Sequence, residues 1–199
     1  MQLEALNPSA DASGALDGAT WQLAYASVEL FRSSPFFWTF QAATGDEDAA
    51  AAVFRFTAGL PVAGARGPFG AITQRFDLPP GAQEGRLVSE VAMTLFDPLF
   101  GVLPGVSGTV VTEARLRRDG GDDSSLLRVT VESTRVVASN VGPPGMLDGI
   151  VAPVEAAFAA LRGGGGSAEV SLRTRYADGE LRVARTGARE DQLFVYVRG

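Results

Sequence analysis

Alternating apolar and polar positions recur along most of the chain, and this period of two predicts β-strands. From Trp21 the residues Leu23 and Tyr25 form a bulky face, and smaller or polar residues alternate with them. Turn-forming clusters bound seven further candidate strands, over 69–78, 86–95, 109–117, 126–137, 168–176, 180–185 and 192–198. The spacing predicts a mainly β fold, an antiparallel barrel of about eight strands.

Two or three short helices are predicted between the strands. Ser33, Ser34 and Pro35 are typical of a helix start, with serine as N-cap and proline in the first turn. A second helix is predicted over 49–57, after acidic residues that suit the positive end of its dipole. A third is predicted over 152–162, where four glycines end it. We expect a leader or tether over 1–17 and a single domain over 18–199.

One face of each predicted strand should line the barrel interior. In the strand 126–137 this face contains Val129 and Val131 and, by the same parity, Arg135. An unpaired guanidinium inside a barrel costs several kcal/mol, so Arg135 needs a partner. A ligand oxygen, Asp178 or a backbone oxygen would serve; alternatively, a bulge carries Arg135 to the solvated mouth. The expected apolar lining is Leu87, Val91, Met93, Val110, Leu116, Val129, Val131, Val170 and Leu172.

The amino-acid composition excludes several kinds of catalytic and metal-binding site. The chain has no Cys, no His and no Lys, which removes thiol nucleophiles, imidazole bases, Schiff-base lysines and most transition-metal sites. Glu90, Glu113 and Glu132 should face away from the interior, so they form no acid–base pair there. We therefore predict no catalytic residue, no metal site and no cofactor other than a bound lipophile.

The net charge of −6 argues against nucleic-acid binding, which depends on clustered cations. It also argues against electrostatic docking on anionic lipid, so any membrane contact must be apolar. No run of about 18 apolar residues suited to a membrane-spanning helix occurs in the sequence. The residues after Met1 show neither a signal peptide nor an Arg/Ser-rich transit segment.

Motifs near both ends of the chain resemble those of the plastid lipid-associated, or fibrillin, family. Residues 3–8 read LEALNP and residues 16–27 read LDGATWQLAYAS; near the other end, residues 176–185 read YADGELRVAR and residues 192–198 read QLFVYVR. The resemblance covers almost the whole chain and implies a lipocalin-like barrel. It further implies binding or transport of an isoprenoid, quinone, carotenoid or fatty acid at chloroplast plastoglobules or thylakoids.

The resemblance also directs attention to particular residues. The acidic residue of the closing motif, proposed in the family to help bind ligand, falls on Asp178, while Ala177 stands where the family has a larger apolar residue. We assign ligand binding to Tyr25, Met93, Val129, Val131, Arg135, Tyr176 and Asp178. An Asp-Gly pair such as Asp178-Gly179 also suits a two-residue hairpin turn without any binding role. By analogy with lipocalins, Trp21 is expected to be covered by Arg182 or Arg185 and to close one barrel end.

Two apolar segments are candidates for membrane contact. The first contains Phe36, Phe37 and Trp38, which either insert into lipid or plug the barrel as core. The second contains Phe96, Leu99 and Phe100 in a nearly wholly apolar connection between two strands. We expect a peripheral membrane or lipid-droplet surface as partner.

The leading hypothesis is a carrier that takes a lipophile into an apolar lumen. One alternative is a coat or assembly scaffold whose lumen is filled by its own side chains. Another is a lipophile isomerase or cyclase. An open lumen favours a carrier, a filled one favours a scaffold, and a buried pair of titratable groups in an open lumen favours an enzyme.

Overall fold

The computed structural model describes residues 6, 12–44, 48, 51, 69–95, 106–119, 125–138, 151–153, 169–186 and 191–199. Nine β-strands lie within these ranges. They are β1 Thr20–Ala26, β2 Phe69–Asp77, β3 Glu84–Leu95, β4 Val106–Arg118, β5 Leu126–Val137, β6 Val151–Pro153, β7 Glu169–Ala177, β8 Leu181–Thr186 and β9 Gln192–Arg198.

Eight of the described strands close into an antiparallel ring in the order β1-β2-β3-β4-β5-β7-β8-β9, with β9 pairing back to β1. The short β6 extends one edge of β5 at Ser133 to Arg135, beyond the residues of β5 that pair with β7. The mainly β, barrel-like architecture expected from the alternating pattern is confirmed. Closure leaves the ring with one interior and one exterior face, so period-two alternation decides which side chains are buried.

Three helical elements lie within the described ranges, and Asp48 and Ala51 are helical as well. A 3-10 helix covers Ala12–Leu16, a second covers Leu30–Ser33, and the helix α1 covers Pro35–Thr44, starting at the predicted proline. The predicted helix over 49–57 falls largely outside the described residues. The helix predicted from 152 is wrong at its first two residues, because Ala152 and Pro153 belong to β6; residues 154–162 lie outside the described residues. Pro153 is tolerated there because β6 is a short strand added at an edge.

The first 3-10 helix closes one end of the barrel. Leu16 is completely buried, and the Asp17 carboxylate accepts a hydrogen bond from the Leu78 amide at 2.9 Å. The Gly18 amide donates to the Phe76 carbonyl at 3.1 Å. Part of the predicted leader therefore packs against the end of β2 as a cap.

Residues 31–38, called the plug segment, lie in the barrel interior. Phe31, Phe37 and Trp38 belong to the same buried cluster as the strand residues that point inward. The rings of Phe31 and Phe37 meet edge to face with centroids 4.9 Å apart, an arrangement that suits aromatic quadrupoles. The Trp38 indole N–H donates to the Arg32 carbonyl, which satisfies that buried donor. The aromatic segment is therefore core.

Candidate functional site

A β-bulge moves Tyr25 out of the predicted ligand site. Leu23 pairs with Tyr196 of β9, but Tyr25 pairs with Val195, so Ala24 is an extra residue in β1. One extra residue reverses the face of every residue after it. Tyr25 is consequently on the exterior, with 55% of its surface exposed, and the prediction that it lines the lumen is wrong.

The same cause changes the position of Arg135. Glu113 pairs with Ser133 and Ala114 with Val131, so Glu132 is an extra residue in β5. Arg135 therefore shares the exterior face with Glu113, and its Nη1 donates to Glu113 Oε1. The expectation of an inward guanidinium is wrong, whereas the alternative of a bulge in this strand is confirmed. Neither a ligand nor Asp178 is required as the partner of Arg135.

The ion pair of Arg135 lines a groove of about 340 Å³ on the outside of the sheet, together with Arg75 and Glu90. The hydrogen bond from Arg135, opposed by partial burial and aided by the charges of Arg135 and Arg86, lowers the pKa of Glu113. The pair stabilises the ionised carboxylate. Glu90 and Glu113 face outward, as the alternation predicted.

Tyr176 and Asp178 serve the turn between β7 and β8. A bulge at Arg175 turns Tyr176 to the exterior, where its hydroxyl donates to Asp178 Oδ2 at 2.6 Å. The other carboxylate oxygen accepts the amides of Glu180 and Leu181, both at 2.7 Å. The Tyr176 hydroxyl and then the two amides lower the pKa of Asp178, and the bond to Asp178 raises the pKa of Tyr176.

This geometry corrects two expectations about the closing motif. The Asp178 carboxylate is occupied by its own turn rather than directed at a ligand, and Tyr176 lies outside the lumen. The alternative that the Asp-Gly pair serves a hairpin turn is confirmed, because the Asp178 amide donates to the Leu181 carbonyl at 3.0 Å, although neither Asp178 nor Gly179 adopts a positive φ. The side chain of Asp178 organises the turn by accepting its amides instead.

The predicted contact of Trp21 with Arg182 or Arg185 is wrong, because both arginines lie elsewhere. Trp21 is fully buried, but Arg182 stacks on Phe76 and Tyr196. Arg185 is three residues from Arg182 on the same strand, so it points to the opposite face. Trp21 and Arg182 nevertheless both belong to the barrel interior.

Three of the predicted ligand residues lie on the interior face. Val129 and Val131 are almost completely buried, and Met93 is half-buried on the same face of β3 as Leu87 and Val91. Of the residues assigned to membrane contact, Phe37 and Trp38 are in the core, which contradicts that assignment, and Phe36 is half-buried. Phe96, Leu99 and Phe100 lie outside the described residues, so their assignment stays a prediction.

A buried polar cluster formed by Gln74, Arg182 and Tyr196 lies inside the barrel. The Arg182 guanidinium carbon is 4.5 Å from the centre of the Phe76 ring and 4.6 Å from that of Tyr196. Nη1 donates to Gln74 Oε1 at 2.8 Å, while Nε and Nη2 make no hydrogen bond. Burial lowers the pKa of Arg182 to about 10, so the group is positively charged at neutral pH.

Tyr196 and Gln74 complete the cluster. Burial raises the pKa of Tyr196 to about 12, against the opposing influence of Arg182 and of the nearby Gln74 and Ser33 side chains. The fully buried Tyr196 hydroxyl lies near the Gln74 and Ser33 side chains, but its geometry completes no hydrogen bond with a described residue. Gln74 Nε2 donates to the Ser33 carbonyl at 2.9 Å, which connects the cluster to the plug segment.

Further polar residues extend this cluster across neighbouring strands. Trp21 pairs with Gln74, Gln74 with Ser89, Ser89 with Thr112 and Thr112 with Thr134. All five side chains are buried, and the hydroxyls of Thr112 and Thr134 are 3.2 Å apart. The Trp21 Nε1 and Ser89 Oγ atoms have no hydrogen-bond partner. The interior thus combines apolar side chains with a row of polar ones, the composition of a site that orients a ligand.

The sequence interpretation did not single out Gln74, Ser89 or Tyr196. The signal was present, because Ile72, Gln74 and Phe76 alternate with polar residues and place a glutamine among inward apolar side chains. A polar residue at such a position needs a partner across the barrel. That partner, Arg182, is 108 residues away in the sequence.

The described residues contain no group of three acidic side chains placed to hold a metal ion. Within the same residues, no helix has both the length and the apolar character that crossing a bilayer requires. Comparison with protein-family models, curated proteins and solved structures finds no match to this chain.

Proposed function

We propose that the barrel takes up one small lipophilic molecule in its interior and stores or transports it, and that the chain is a member of the fibrillin family. Eight strands are the number at which a closed barrel can hold one small ligand. Val129, Val131 and Leu172 supply apolar interior surface, whose contact with a ligand contributes roughly 25 cal/mol per Å².

The observation that carries this proposal is the unpaired charge of Arg182. Replacing a buried ion by an apolar side chain of similar size is often neutral or stabilising, so a core evolved for stability alone has no use for it. Fully buried polar groups with unused hydrogen-bonding capacity are typical of binding sites. Arg182, Tyr196 and Trp21 all have such unused donors in the barrel interior.

We place the protein on a plastid membrane surface, at plastoglobules or the thylakoid periphery. The fibrillin-like motifs support this location, and the apolar residues Phe96, Leu99 and Phe100 support the contact. These three residues belong to the connection between β3 and β4. With a net charge of −6, the attachment must depend on apolar insertion.

A coat or scaffold role is the second candidate, because the plug segment occupies part of the barrel interior. Phe31, Phe37 and Trp38 pack there as an ordinary core would. If the plug segment never leaves, no lipophile enters and the barrel is a rigid scaffold. Ligand uptake therefore distinguishes the two roles.

The test is native mass spectrometry after incubation with vesicles that contain a free fatty acid, a prenylquinone and a carotenoid. A carrier retains one lipophile per chain. Val131→Phe fills interior space and should lower the occupancy, whereas Val197→Phe, at a site that is 40% exposed, should not. No retained lipophile from any of the three classes would favour the scaffold.

A further inference from the structure

The Arg182 guanidinium is completely buried and has no counter-ion among the described residues. Within them, its one hydrogen bond is to the neutral amide of Gln74. The flanking rings of Phe76 and Tyr196 offer their faces, which attract a cation but do not neutralise it. In a low-dielectric interior, an anion would gain far more from this guanidinium than it would in water.

The unused groups around Arg182 are mainly donors. Arg182 Nε and Nη2, Tyr196 Oη and Trp21 Nε1 all carry hydrogen atoms that meet no acceptor. Gln74 Oε1 already accepts a hydrogen bond from Arg182, and one of the two N–H groups of Gln74 Nε2 donates to the Ser33 carbonyl. A carboxylate offers about four lone-pair sites and no donor, so its chemistry complements this surplus. An alcohol would bring another donor, and a ketone would bring no charge.

The plug segment already supplies one acceptor to this cluster. The Ser33 carbonyl accepts a hydrogen bond from Gln74, and behind it the apolar side chains of Phe31 and Phe37 continue into the interior. In a lipophilic acid, as in the plug segment, an acceptor oxygen is followed by apolar groups. The plug segment therefore presents to the barrel interior the same two chemical features as a lipophilic acid.

We propose that the molecule bound in the barrel is a lipophilic acid whose carboxylate is held by Arg182 and Tyr196 after the plug segment moves outward. This inference rests on the proposed function and specifies its ligand class. The apolar tail then contacts the surfaces that Phe31 and Phe37 cover in the closed state. Neutral isoprenoids and carotenoids lack the group that the cluster requires.

The experiment compares oleate with oleyl alcohol, which have the same chain and differ in the head group. We expect isothermal titration calorimetry to give at least tenfold tighter binding of oleate to the wild-type protein, since bonds to charged groups are the stronger ones. Arg182→Met should abolish this preference by weakening the binding of oleate far more than that of oleyl alcohol. The control Arg115→Met removes an exposed guanidinium paired with Glu132 and should keep the preference.

The outcomes separate this inference from the proposed function. If the wild-type protein binds oleate and oleyl alcohol equally well, the carrier function stands. The proposal that Arg182 and Tyr196 hold a carboxylate, the acid anchor, is then overturned. Binding of neither lipid overturns the acid anchor, and the carrier itself is overturned only if native mass spectrometry also finds no retained quinone or carotenoid. If acetate raises the thermal midpoint of the protein as much as oleate does, the site binds a small anion. The proposal that its ligand is a lipophilic acid is then wrong. Should Arg182→Met not fold, Tyr196→Phe removes one donor, keeps the ring, and must weaken oleate more than oleyl alcohol.

Discussion

Trp21 is the largest completely buried side chain of β1, and its contribution to stability comes from packing rather than from a polar bond. The indole N–H meets no acceptor, whereas the ring belongs to the main buried cluster. Removing such a ring leaves a cavity that the surrounding rigid strands cannot fill. The stability of the barrel end should therefore depend strongly on this residue.

We predict that Trp21→Ala lowers the free energy of unfolding by about 3–5 kcal/mol. Tyr25→Ala is the matched control on the same strand, because Tyr25 is 55% exposed, and it should change the free energy by only about 0.5 kcal/mol. Urea denaturation followed by circular dichroism measures both. Equal losses for the two variants would show that the face assignment of β1 is wrong.

The stability of the folded protein should depend on pH through Glu113, on the exterior of the barrel. Because Arg135 lowers its pKa in the folded state, the ionised carboxylate contributes stability above its unfolded value of 4.5. That contribution is lost as the pH falls through the lowered folded value. Glu113→Gln should therefore reduce the thermal midpoint at pH 7 and converge with the wild type as the pH falls below 4.5.

The control for this prediction is Glu90→Gln, in the same groove. Glu90 is exposed and forms no ion pair with any described residue, so its replacement should have little effect at any pH. Thermal midpoints of the wild type and both variants, measured from pH 7 to pH 3, test this assignment. A difference between wild type and Glu113→Gln that stays constant down to pH 3 contradicts the assignment.

Among the strands, the sequence predicted which segments form strands and how their residues alternate. It predicted less well which of those residues face the barrel interior. The inward set of β3, with Leu87, Val91 and Met93, follows from period two because no described bulge interrupts those residues in their pairing with β4. Tyr25, Arg135 and Tyr176 each follow an extra residue in their strand. A bulge depends on pairing with a distant strand, so alternation within one strand does not reveal it.

The hairpin of β2 and β3 depends on a glycine for close approach. A Cβ at Gly85 would lie 2.4 Å from the Asp77 carbonyl oxygen and 3.0 Å from the Leu78 Cα. Both are backbone atoms, so relief requires a shift of the chain. The site of Gly179 offers the opposite case, since a Cβ there meets nothing within 4 Å.

We predict that Gly85→Ala destabilises the protein by about 1–3 kcal/mol, the usual range for overpacking. Gly179→Ala should be nearly neutral, because its φ is not positive and its surroundings are open. Thermal denaturation at one protein concentration compares them. A neutral Gly85→Ala would mean that the turn between β2 and β3 relaxes more freely than this geometry allows.

At the scale of the whole molecule, membrane attachment and ligand uptake are separate properties. We predict that the protein floats with neutral liposomes at high salt, because salt screens ionic contacts but not apolar insertion. The double variant Leu99→Asp, Phe100→Asp should lose flotation. Tyr25→Asp with Val197→Asp adds the same charge at exposed barrel positions and should float like the wild type. Equal flotation of all three proteins would remove the β3–β4 connection as the anchor.

The central claim is that a lipophile enters the barrel, and the two tryptophans of the chain report on it directly. Both Trp21 and Trp38 are buried in the interior, one on β1 and one in the plug segment. A brominated fatty acid quenches indole fluorescence only at short range. The Trp38→Phe variant leaves Trp21, in the barrel wall, as the single reporter and keeps an aromatic ring in the plug segment.

The decisive measurement is the titration of Trp38→Phe with dibromostearate below the concentration at which the lipid aggregates. We predict quenching of Trp21 that saturates at one equivalent and is reversed by excess oleate. Lipid that co-purifies with the protein but leaves Trp21 unquenched, or quenching that never saturates, would contradict binding inside the barrel.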